Sequence, residues 1–252
     1  MKKTVAFSKN AINVFFHILT NCNLKCKHCY INKKQHGENT LPLETIEAWL
    51  KVFASKTKNA NVIFLGGEPT LHPDLSLAIK KAKALGYDSI TVDTNGYLFH
   101  VFIQVIGIRG KSAENSHEKL QVSRNDWLEI IPDAAQKIAR LGITVTYPKV
   151  FLSPDEPFEC AAKVAENYFI FPNGRVYQCP LCEDFPLHSK VFKGNLLLDT
   201  PKINESNLFN LNIPEGCVMN KLIQPGNLSY NRNGTPEYRV ACCMLKEEIK
   251  GN

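Results

Sequence analysis

The sequence predicts an α/β protein whose C-terminal part is a small cysteine-rich extension with a β-hairpin. Between residues 12 and 93, short apolar runs alternate with amphipathic segments of helical period, in the order strand, helix, strand, helix, strand. After residue 147 the pattern changes, since prolines at 148, 154 and 157 precede a hairpin pattern and six of the nine cysteines. The alternation is typical of a parallel sheet with right-handed crossovers, whose ligands gather at the carboxyl ends of the strands.

The elements of the N-terminal part follow from apolar runs and from their boundary residues. Pro42 suits the first turn of the first helix, Pro73 the start of the second, and Gly86 its end. We expect strands at residues 12–19, 61–65 and 88–93, and helices at residues 40–55 and 72–86.

The next elements are less regular. The run "VFIQVIGI" (101–108) predicts a fourth strand and "ITVTY" (143–147) a fifth. Between them we expect a helix within residues 125–141 that tolerates Pro132.

The C-terminal part opens with a predicted hairpin. The stretch "YFIFPNGRVYQC" (168–179) has two apolar runs around the turn sequence Pro-Asn-Gly at 172–174. We therefore divide the chain into an α/β unit, residues 1–150, and a cysteine-bearing unit, residues 151–252.

Composition narrows the class of protein. Hydrophobic residues make up 44% of the 252 residues and charged residues 21%, which is ordinary for a globular protein. The net charge of +6 comes from scattered lysines, so we expect no nucleic-acid partner. No apolar run suits a membrane span and the first ten residues lack a signal-peptide pattern, so we expect a cytoplasmic protein with no membrane partner. Cysteines in a reducing compartment seldom form disulfides, which leaves metal binding, catalysis or burial.

Three cysteines stand in "NCNLKCKHCY" (21–30), directly after the first strand. Their spacing, C-x3-C-x2-C, lets the thiolates of Cys22, Cys26 and Cys29 converge on one face of a metal centre. A structural zinc would need a fourth ligand, for which His17 and His28 are candidates. An iron-sulfur cube with three protein thiolates would instead leave one iron open for a small molecule.

The ends of the next two strands are polar and rich in glycine. The second strand ends in "GGEPT", where Gly66 and Gly67 allow close approach of backbone to a ligand and Glu68 supplies a carboxylate. The third strand ends in "TNG" (94–96). Each stretch is an ordinary turn in isolation. Both are expected, however, at the same edge of the sheet as the cysteine loop.

Taken together, "CNLKCKHCY", "GGEP" and "TNG" resemble the motifs of the radical S-adenosylmethionine (SAM) superfamily, over residues 12 to 149. The resemblance implies a partial (β/α) barrel of the radical SAM type, a 4Fe-4S cluster on Cys22, Cys26 and Cys29, and SAM on the open iron. It places Glu68 and its two glycines near the methionyl amine and Tyr30 near the adenine. The SAM-binding residues so implied are Tyr30, Gly66, Gly67, Glu68, Thr94 and Asn95.

For function, the resemblance implies a radical enzyme. An electron from the reduced cluster would break a carbon-sulfur bond of SAM, and the resulting 5'-deoxyadenosyl radical would abstract hydrogen from a substrate. Relatives act on peptides, proteins or small metabolites, and the implied partner is an electron donor such as flavodoxin or ferredoxin. We expect no catalytic side chain beyond the cluster and SAM, because the protein's part is to position the substrate and exclude water.

One further cofactor contact is expected after the fourth strand. Arg109, in "IRGKS" (108–112), resembles an arginine that relatives carry near SAM, and a guanidinium suits a planar carboxylate. The alternative is a solvated loop arginine.

The C-terminal cysteines resemble the start of the SPASM and Twitch extensions, which hold auxiliary 4Fe-4S clusters. Six cysteines are too few for two fully ligated clusters, so one auxiliary cluster is the simplest allocation. Cys242 or Cys243 could replace Cys217 or Cys182, and a zinc ribbon on the same residues is the alternative. The predicted ligands of the auxiliary cluster are Cys160, Cys179, Cys182 and Cys217.

The barrel is shorter than the resemblance leads us to expect. Five strands are predicted where the family has six strand-helix units, and residues 97–100 cannot hold a crossover helix. Two interpretations stay open: a compact variant that retains catalysis, or a non-catalytic iron-sulfur protein for binding or electron transfer.

Overall fold

The structure is a computed structural model that describes residues 2–5, 9–26, 29–54, 59–95, 123–153 and 155–251. Its strands are β1 (Lys2–Val5), β2 (Ala11–His17), β3 (Asn59–Leu65), β4 (Ser89–Val92), β5 (Val145–Pro148), β6 (Phe151–Leu152), β7 (Glu166–Ile170), β8 (Arg175–Tyr177), β9 (Lys190–Lys193), β10 (Leu196–Asp199), β11 (Arg239–Val240) and β12 (Lys246–Ile249). Its helices are α1 (Lys33–His36), α2 (Leu43–Ala54), α3 (Leu75–Ala84), α4 (Arg124–Ala139), α5 (Ala161–Val164), α6 (Glu205–Phe209) and α7 (Val218–Ile223). Within these ranges, every helix is too short or too polar to cross a membrane.

The largest sheet has seven strands in the order β10-β9-β8-β7-β2-β3-β4. Strands β7, β2, β3 and β4 run parallel, and antiparallel pairing adds β8, β9 and β10 at one edge. Helices α2 and α3 connect β2 to β3 and β3 to β4, which confirms the predicted alternation. The carboxyl ends of β2, β3 and β4 therefore lie at the same rim of the sheet.

The main core lies between these strands and helices. Alternate residues of β2, namely Ile12, Val14 and Phe16, are fully buried, as expected for a strand with period two. Helix α2 adds Ile46 and Leu50 to the same core at helical spacing. Each such side chain contributes roughly 1.5–3 kcal/mol by leaving water, so this packing fixes the strand ends that carry the site.

Two helix starts differ from prediction. Helix α2 begins at Leu43, and Thr40 instead forms an isolated bridge with the chain after β2. Helix α3 begins at Leu75, with Asp74 as its N-cap residue, so the predicted residues 72–74 precede the helix. Gly86 follows α3 with φ of +83°, which agrees with its predicted role as a stop signal.

The fifth predicted strand forms, but the prediction that it belongs to the parallel sheet is wrong. Strand β5 pairs antiparallel with β12, which also pairs with β1 in a separate sheet. The physical reason is its apolar partners: Tyr147 of β5 and Ile249 of β12 are buried together under Ala135 and Ala139 of α4. The helix α4 itself was predicted, including its internal Pro132.

The main sheet stays open, with β10 at one edge and β4 at the other, so the described residues form a mixed α/β sheet and show no clear barrel. Several predictions lie outside the described residues, among them the fourth strand at 101–108, the short connection at 97–100, and Arg109.

The hairpin predicted at residues 168–179 is confirmed as β7 and β8. Its turn contains Gly174 with φ of +83°, and a Cβ there would lie 2.9 Å from the Phe192 carbonyl oxygen. Strand β7 also pairs in parallel with β2, so the chain beyond residue 150 extends the sheet of the first part. The division into units 1–150 and 151–252 stays a prediction.

Candidate functional site

The cysteine loop leaves β2 and packs directly on the end of β3. The amide of Gly67 donates to the Leu19 carbonyl at 3.0 Å, and that of Glu68 donates to the Asn21 carbonyl at 2.8 Å. A Cβ at Gly66 would lie 2.6 Å from the Leu19 oxygen, and one at Gly67 would lie 2.2 Å from the Asn21 oxygen. Both glycines are therefore required for the seating of the cysteine loop, a reason that the sequence did not suggest.

Glu68 joins the ends of β3 and β4. Its Oε1 accepts the Thr70 amide at 3.0 Å, the Thr70 hydroxyl at 2.5 Å and the Thr94 hydroxyl at 2.7 Å. Its Oε2 accepts the Asn95 amide at 2.7 Å. Burial raises the pKa of Glu68, but the donors from Thr70, Asn95 and Thr94 outweigh it and hold the pKa below its ordinary value. The site thus contains a buried carboxylate that is ionised at neutral pH.

Asn95 connects the end of β4 to the cysteine loop. Its Nδ2 lies 2.8 Å from Asn23 Oδ1 and 3.6 Å from Cys22 Sγ. The Leu24 amide also donates to Cys22 Sγ, at 3.4 Å. Two N–H groups therefore face the sulfur of one cysteine.

The three thiols of the first constellation lie at this rim, where Cys26 is exposed and Cys22 and Cys29 are half-buried. Burial raises the pKa of Cys29 most, and the charges of Cys26 and Cys22 raise it further, against a backbone hydrogen bond at Ile31. Three thiols on one loop at this rim fit a cluster that is held by three protein thiolates and has one open iron.

His17, one of the two candidate zinc ligands, points elsewhere. Its Nδ1 donates to the Ile170 carbonyl at 3.2 Å, and its Nε2 lies 3.1 Å from the Tyr30 hydroxyl. Its ring also stacks on Phe171, with centroids 4.2 Å apart. His17 therefore ties Tyr30, which was expected near the adenine, to the end of β7. The other candidate, His28, lies outside the described residues.

The second constellation gathers around one apolar cavity. Five of the six C-terminal cysteines pack in one hydrophobic cluster with the aromatic residues of β7 and β8, and the sixth, Cys242, lines the same cavity as four of them. Within the cluster, Cys182 is fully buried and its thiol interacts with Cys179 and Glu205. The cavity is lined by Phe158, Cys160, Ala161, Ala162, Gln178, Cys179, Pro180, Phe209, Leu211, Cys217, Val218, Met219, Cys242, Cys243 and Met244.

These thiols differ in their electrostatics. Burial raises the pKa of Cys160 to about 11, with a further contribution from the charge of Cys242. Burial also raises the pKa of Cys217, whose next neighbours include Cys179 and Cys242. By contrast, hydrogen bonding from Cys243 holds the pKa of Cys242 below its ordinary value despite burial. The hydrogen bond between the adjacent thiols of Cys242 and Cys243 thus favours a thiolate, the form that binds metal, on one of the two.

Glu205 accepts several hydrogen bonds from the backbone of this region. It could not be recognised from the sequence, because a lone glutamate carries no motif. It is fully buried and accepts the amides of Gln178, Cys179 and Ser189 at 2.8, 3.1 and 3.2 Å. The Ser189 hydroxyl donates to it at 2.8 Å. Burial raises the pKa of Glu205 to about 7 against these donors. Its contacts fix the backbone that carries Cys179.

A site for a single metal ion differs in its geometry from a site for an iron-sulfur cluster. In the part of the chain that the structure describes, no three histidine, cysteine, aspartate or glutamate side chains meet as closely as one metal ion requires. A four-iron cube makes a different demand, because each thiolate binds a different iron corner.

The comparison with protein families identifies the chain. The model of the "Radical SAM superfamily" matches residues 17–156, which is more than half of the 252 residues. The chain therefore belongs to the radical SAM superfamily. Members of this superfamily are enzymes, and membership implies SAM and a 4Fe-4S cluster. The donor set of Cys22, Cys26 and Cys29 fits that cluster.

Curated relatives match part of the chain. The chain is 35% identical over 105 residues to an "S-adenosylmethionine-dependent nucleotide dehydratase" of Flammeovirga pacifica, covering 38% of this chain and 34% of that protein. It is 36% identical over 77 residues to a "Probable GTP 3',8-cyclase" of Saccharolobus solfataricus, covering 31% and 25%. It is 32% identical over 89 residues to a "Tungsten-containing aldehyde ferredoxin oxidoreductase cofactor-modifying protein" of Pyrococcus furiosus, covering 34% and 24%. The matched stretches thus span about a third or less of each relative.

Proposed function

We propose that this protein cleaves SAM reductively at a 4Fe-4S cluster held by Cys22, Cys26 and Cys29 and abstracts hydrogen from a substrate. One observation carries the proposal: at adjacent ends of parallel strands, Asn95 contacts both Glu68 and Cys22 of the thiol loop. The chain in which this contact occurs belongs to the radical SAM superfamily. When bound, the cluster and SAM supply one-electron cleavage of a carbon-sulfur bond and a 5'-deoxyadenosyl radical. We propose in addition that the parallel strands β2, β3 and β4, which are neighbours in chain order, belong to a shortened partial (β/α) barrel.

The chain's own residues have positioning roles in this proposal. Glu68 is expected to contact the methionyl amine, because Oε2 accepts a single hydrogen bond among the described residues and a carboxylate oxygen can accept two. Gly66 and Gly67 hold the thiol loop against β3. Tyr30 is oriented by His17 and is proposed to face the adenine. Thr94 and Arg109 remain proposed SAM contacts.

An auxiliary 4Fe-4S cluster is proposed for the C-terminal cavity. Cys160, Cys179 and Cys217 line that cavity and keep the roles predicted for them. For the fourth ligand we favour Cys242 over Cys182, because Cys242 lines the cavity together with the other three cysteines, whereas Cys182 is outside that lining and interacts with Glu205. The cluster would serve as an electron relay or as a substrate-binding group.

The test is anaerobic reconstitution followed by reduction. Wild type with dithionite and SAM should release 5'-deoxyadenosine, and Cys26→Ala, which removes a cluster ligand, should release none. Iron and sulfide analysis should give about eight irons per chain for two cubane clusters. Stoichiometric zinc in place of iron would favour the zinc ribbon, and a wild type with an intact cluster but no 5'-deoxyadenosine would refute the proposal. Flavodoxin or ferredoxin should replace dithionite as the electron donor.

The substrate is proposed to be a peptide or a small metabolite. Two of the relatives are named for nucleotides, but a third relative of comparable identity is named for modifying the cofactor of an oxidoreductase, and each match covers only about a third or less of the relative. Deuterated peptide and nucleotide candidates separate the two classes, since the true substrate transfers deuterium to 5'-deoxyadenosine.

A non-catalytic iron-sulfur protein is the second candidate. The open main sheet of the described residues favours it, because an open sheet encloses a substrate less completely. In that case the reduced N-terminal cluster would give the same EPR spectrum with and without SAM.

A further inference from the structure

We propose that Asn95 raises the reduction potential of the N-terminal cluster by donating a hydrogen bond from its side-chain amide to Cys22 Sγ. This inference rests on the proposed function, since it requires a cluster on Cys22. It gives Asn95 a role toward the cluster itself, in addition to the contact with SAM expected from the sequence.

The orientation of the Asn95 amide follows from its neighbours. Nδ2 approaches both Asn23 Oδ1, at 2.8 Å, and Cys22 Sγ, at 3.6 Å. An amide oxygen such as Asn23 Oδ1 only accepts hydrogen bonds, so the nitrogen of Asn95 is the atom that faces it. The same nitrogen then has its second hydrogen available for the sulfur.

The backbone holds the amide in place. The Asn95 N–H donates to Glu68 Oε2 at 2.7 Å, and the neighbouring Thr94 hydroxyl donates to Oε1 at 2.7 Å. Glu68 is itself almost fully buried at the end of β3. The donor to Cys22 is therefore carried by two strand ends that share one ionised carboxylate, and it is set before any cluster binds.

Cluster binding changes what the sulfur can do. The metal-free thiol of Cys22 points its own hydrogen toward Asn23 Oδ1, at 3.8 Å. An iron-bound thiolate has no hydrogen and only accepts, so the Leu24 amide, at 3.4 Å, and the Asn95 amide become its partners.

Reduction by one electron adds a negative charge to the cluster and its sulfurs. Donors to the sulfurs stabilise that charge, and hydrogen bonds of this kind are among the factors that set cluster potentials. Removing the Asn95 donor should therefore shift the midpoint potential to a more negative value, which makes the cluster harder to reduce.

The experiment is an EPR-monitored redox titration of the reconstituted full chain. The N-terminal cluster is identified as the signal that SAM perturbs, and its midpoint potential is measured without SAM. Asn95→Leu removes the donor at similar size, and Asn95→Asp replaces it with a negative charge. Thr70→Val is the matched control, because Thr70 donates to the same Glu68 carboxylate but not to a cysteine sulfur.

We expect a negative shift in Asn95→Leu, a larger one in Asn95→Asp, and the wild-type potential in Thr70→Val. An unchanged potential in both Asn95 variants with full cluster content overturns the inference while leaving the proposed function intact. An equal shift in Thr70→Val also overturns it, because the effect would then come from general disturbance of the Glu68 network. A wild type without a SAM-sensitive cluster signal refutes the proposed function, and the inference with it.

Discussion

His17, the last residue of β2, stacks on Phe171, the residue after β7, with ring centroids 4.2 Å apart and planes at 13°. His36 stacks on the same phenylalanine at 4.1 Å. Its Nε2 donates to the Glu183 carbonyl, just beyond the C-x2-C pair, at 2.8 Å. The loop of the first cysteine constellation and the segment of the second thus pack on one buried ring.

Phe171→Ala should destabilise the whole protein. The side chain is fully buried between two histidine rings, and truncation of such a phenylalanine costs about 3–5 kcal/mol. Urea unfolding monitored by circular dichroism measures the loss. Leu141→Ala, at a side chain that is 76% exposed, should change stability by about 0.5 kcal/mol or less. Equal losses for the two variants would contradict the packing described above.

Gly67→Ala should prevent loading of the N-terminal cluster. The new Cβ would lie 2.2 Å from the Asn21 carbonyl oxygen, so the backbone that leads into the cysteine loop must move. Iron and sulfide content should fall by about half, from eight irons to four. Gly234→Ala is the control: it strains a backbone with φ of +81° but meets open space, so iron content should stay at the wild-type level.

Glu68→Gln should lower stability at pH 7 by roughly 1–3 kcal/mol, because an amide NH₂ placed near the Asn95 N–H leaves donors unpaired. The folded-state pKa of Glu68 lies below its ordinary value of 4.5, so its contribution is present above that pH and is lost as the pH falls further. The variant should therefore show a flatter loss of stability below pH 4.5 than wild type. Parallel curves for the two proteins would mean that Glu68 is not the group responsible.

Cys242→Ser and Cys182→Ser should separate the ligands of the auxiliary cluster. Cys242 lines the cavity with Cys160 and Cys217, so its replacement should remove about four of eight irons. Cys182 is outside the lining of the cavity and its thiol interacts with Glu205, so Cys182→Ser should retain most of the iron. The reverse result would restore the ligand set predicted from the sequence.

The sequence was sufficient to predict those elements of the fold and the site that depend on local patterns. Apolar periodicity and boundary residues predicted β2, α2, β3, α3 and β4, and their carboxyl ends then placed the cysteine loop beside Glu68 and Asn95. Close spacing likewise marked both cysteine constellations.

The pairing of strands that are far apart in the chain could not be predicted from local sequence patterns. The partner of Tyr147 is Glu247, a hundred residues later, and nothing in "ITVTY" distinguishes it from a strand of the main sheet. Parallel pairing of Phe15 with Phe169 was missed for the same reason. Glu205 was missed because its role depends on three amides that it meets only in the folded chain.

The position of β7 beside β2 has a consequence for biogenesis. Phe16 of β2 pairs with Ile170, so one edge of β2 has no neighbour until a ribosome has added some 150 residues beyond it. His17 and Phe171 can stack only after that point, and contacts of such sequence separation form late and slowly. The cysteine loop is therefore synthesised long before β7 and Phe171, which pack beside the end of β2. We expect delivery of iron and sulfide to the loop to follow translation.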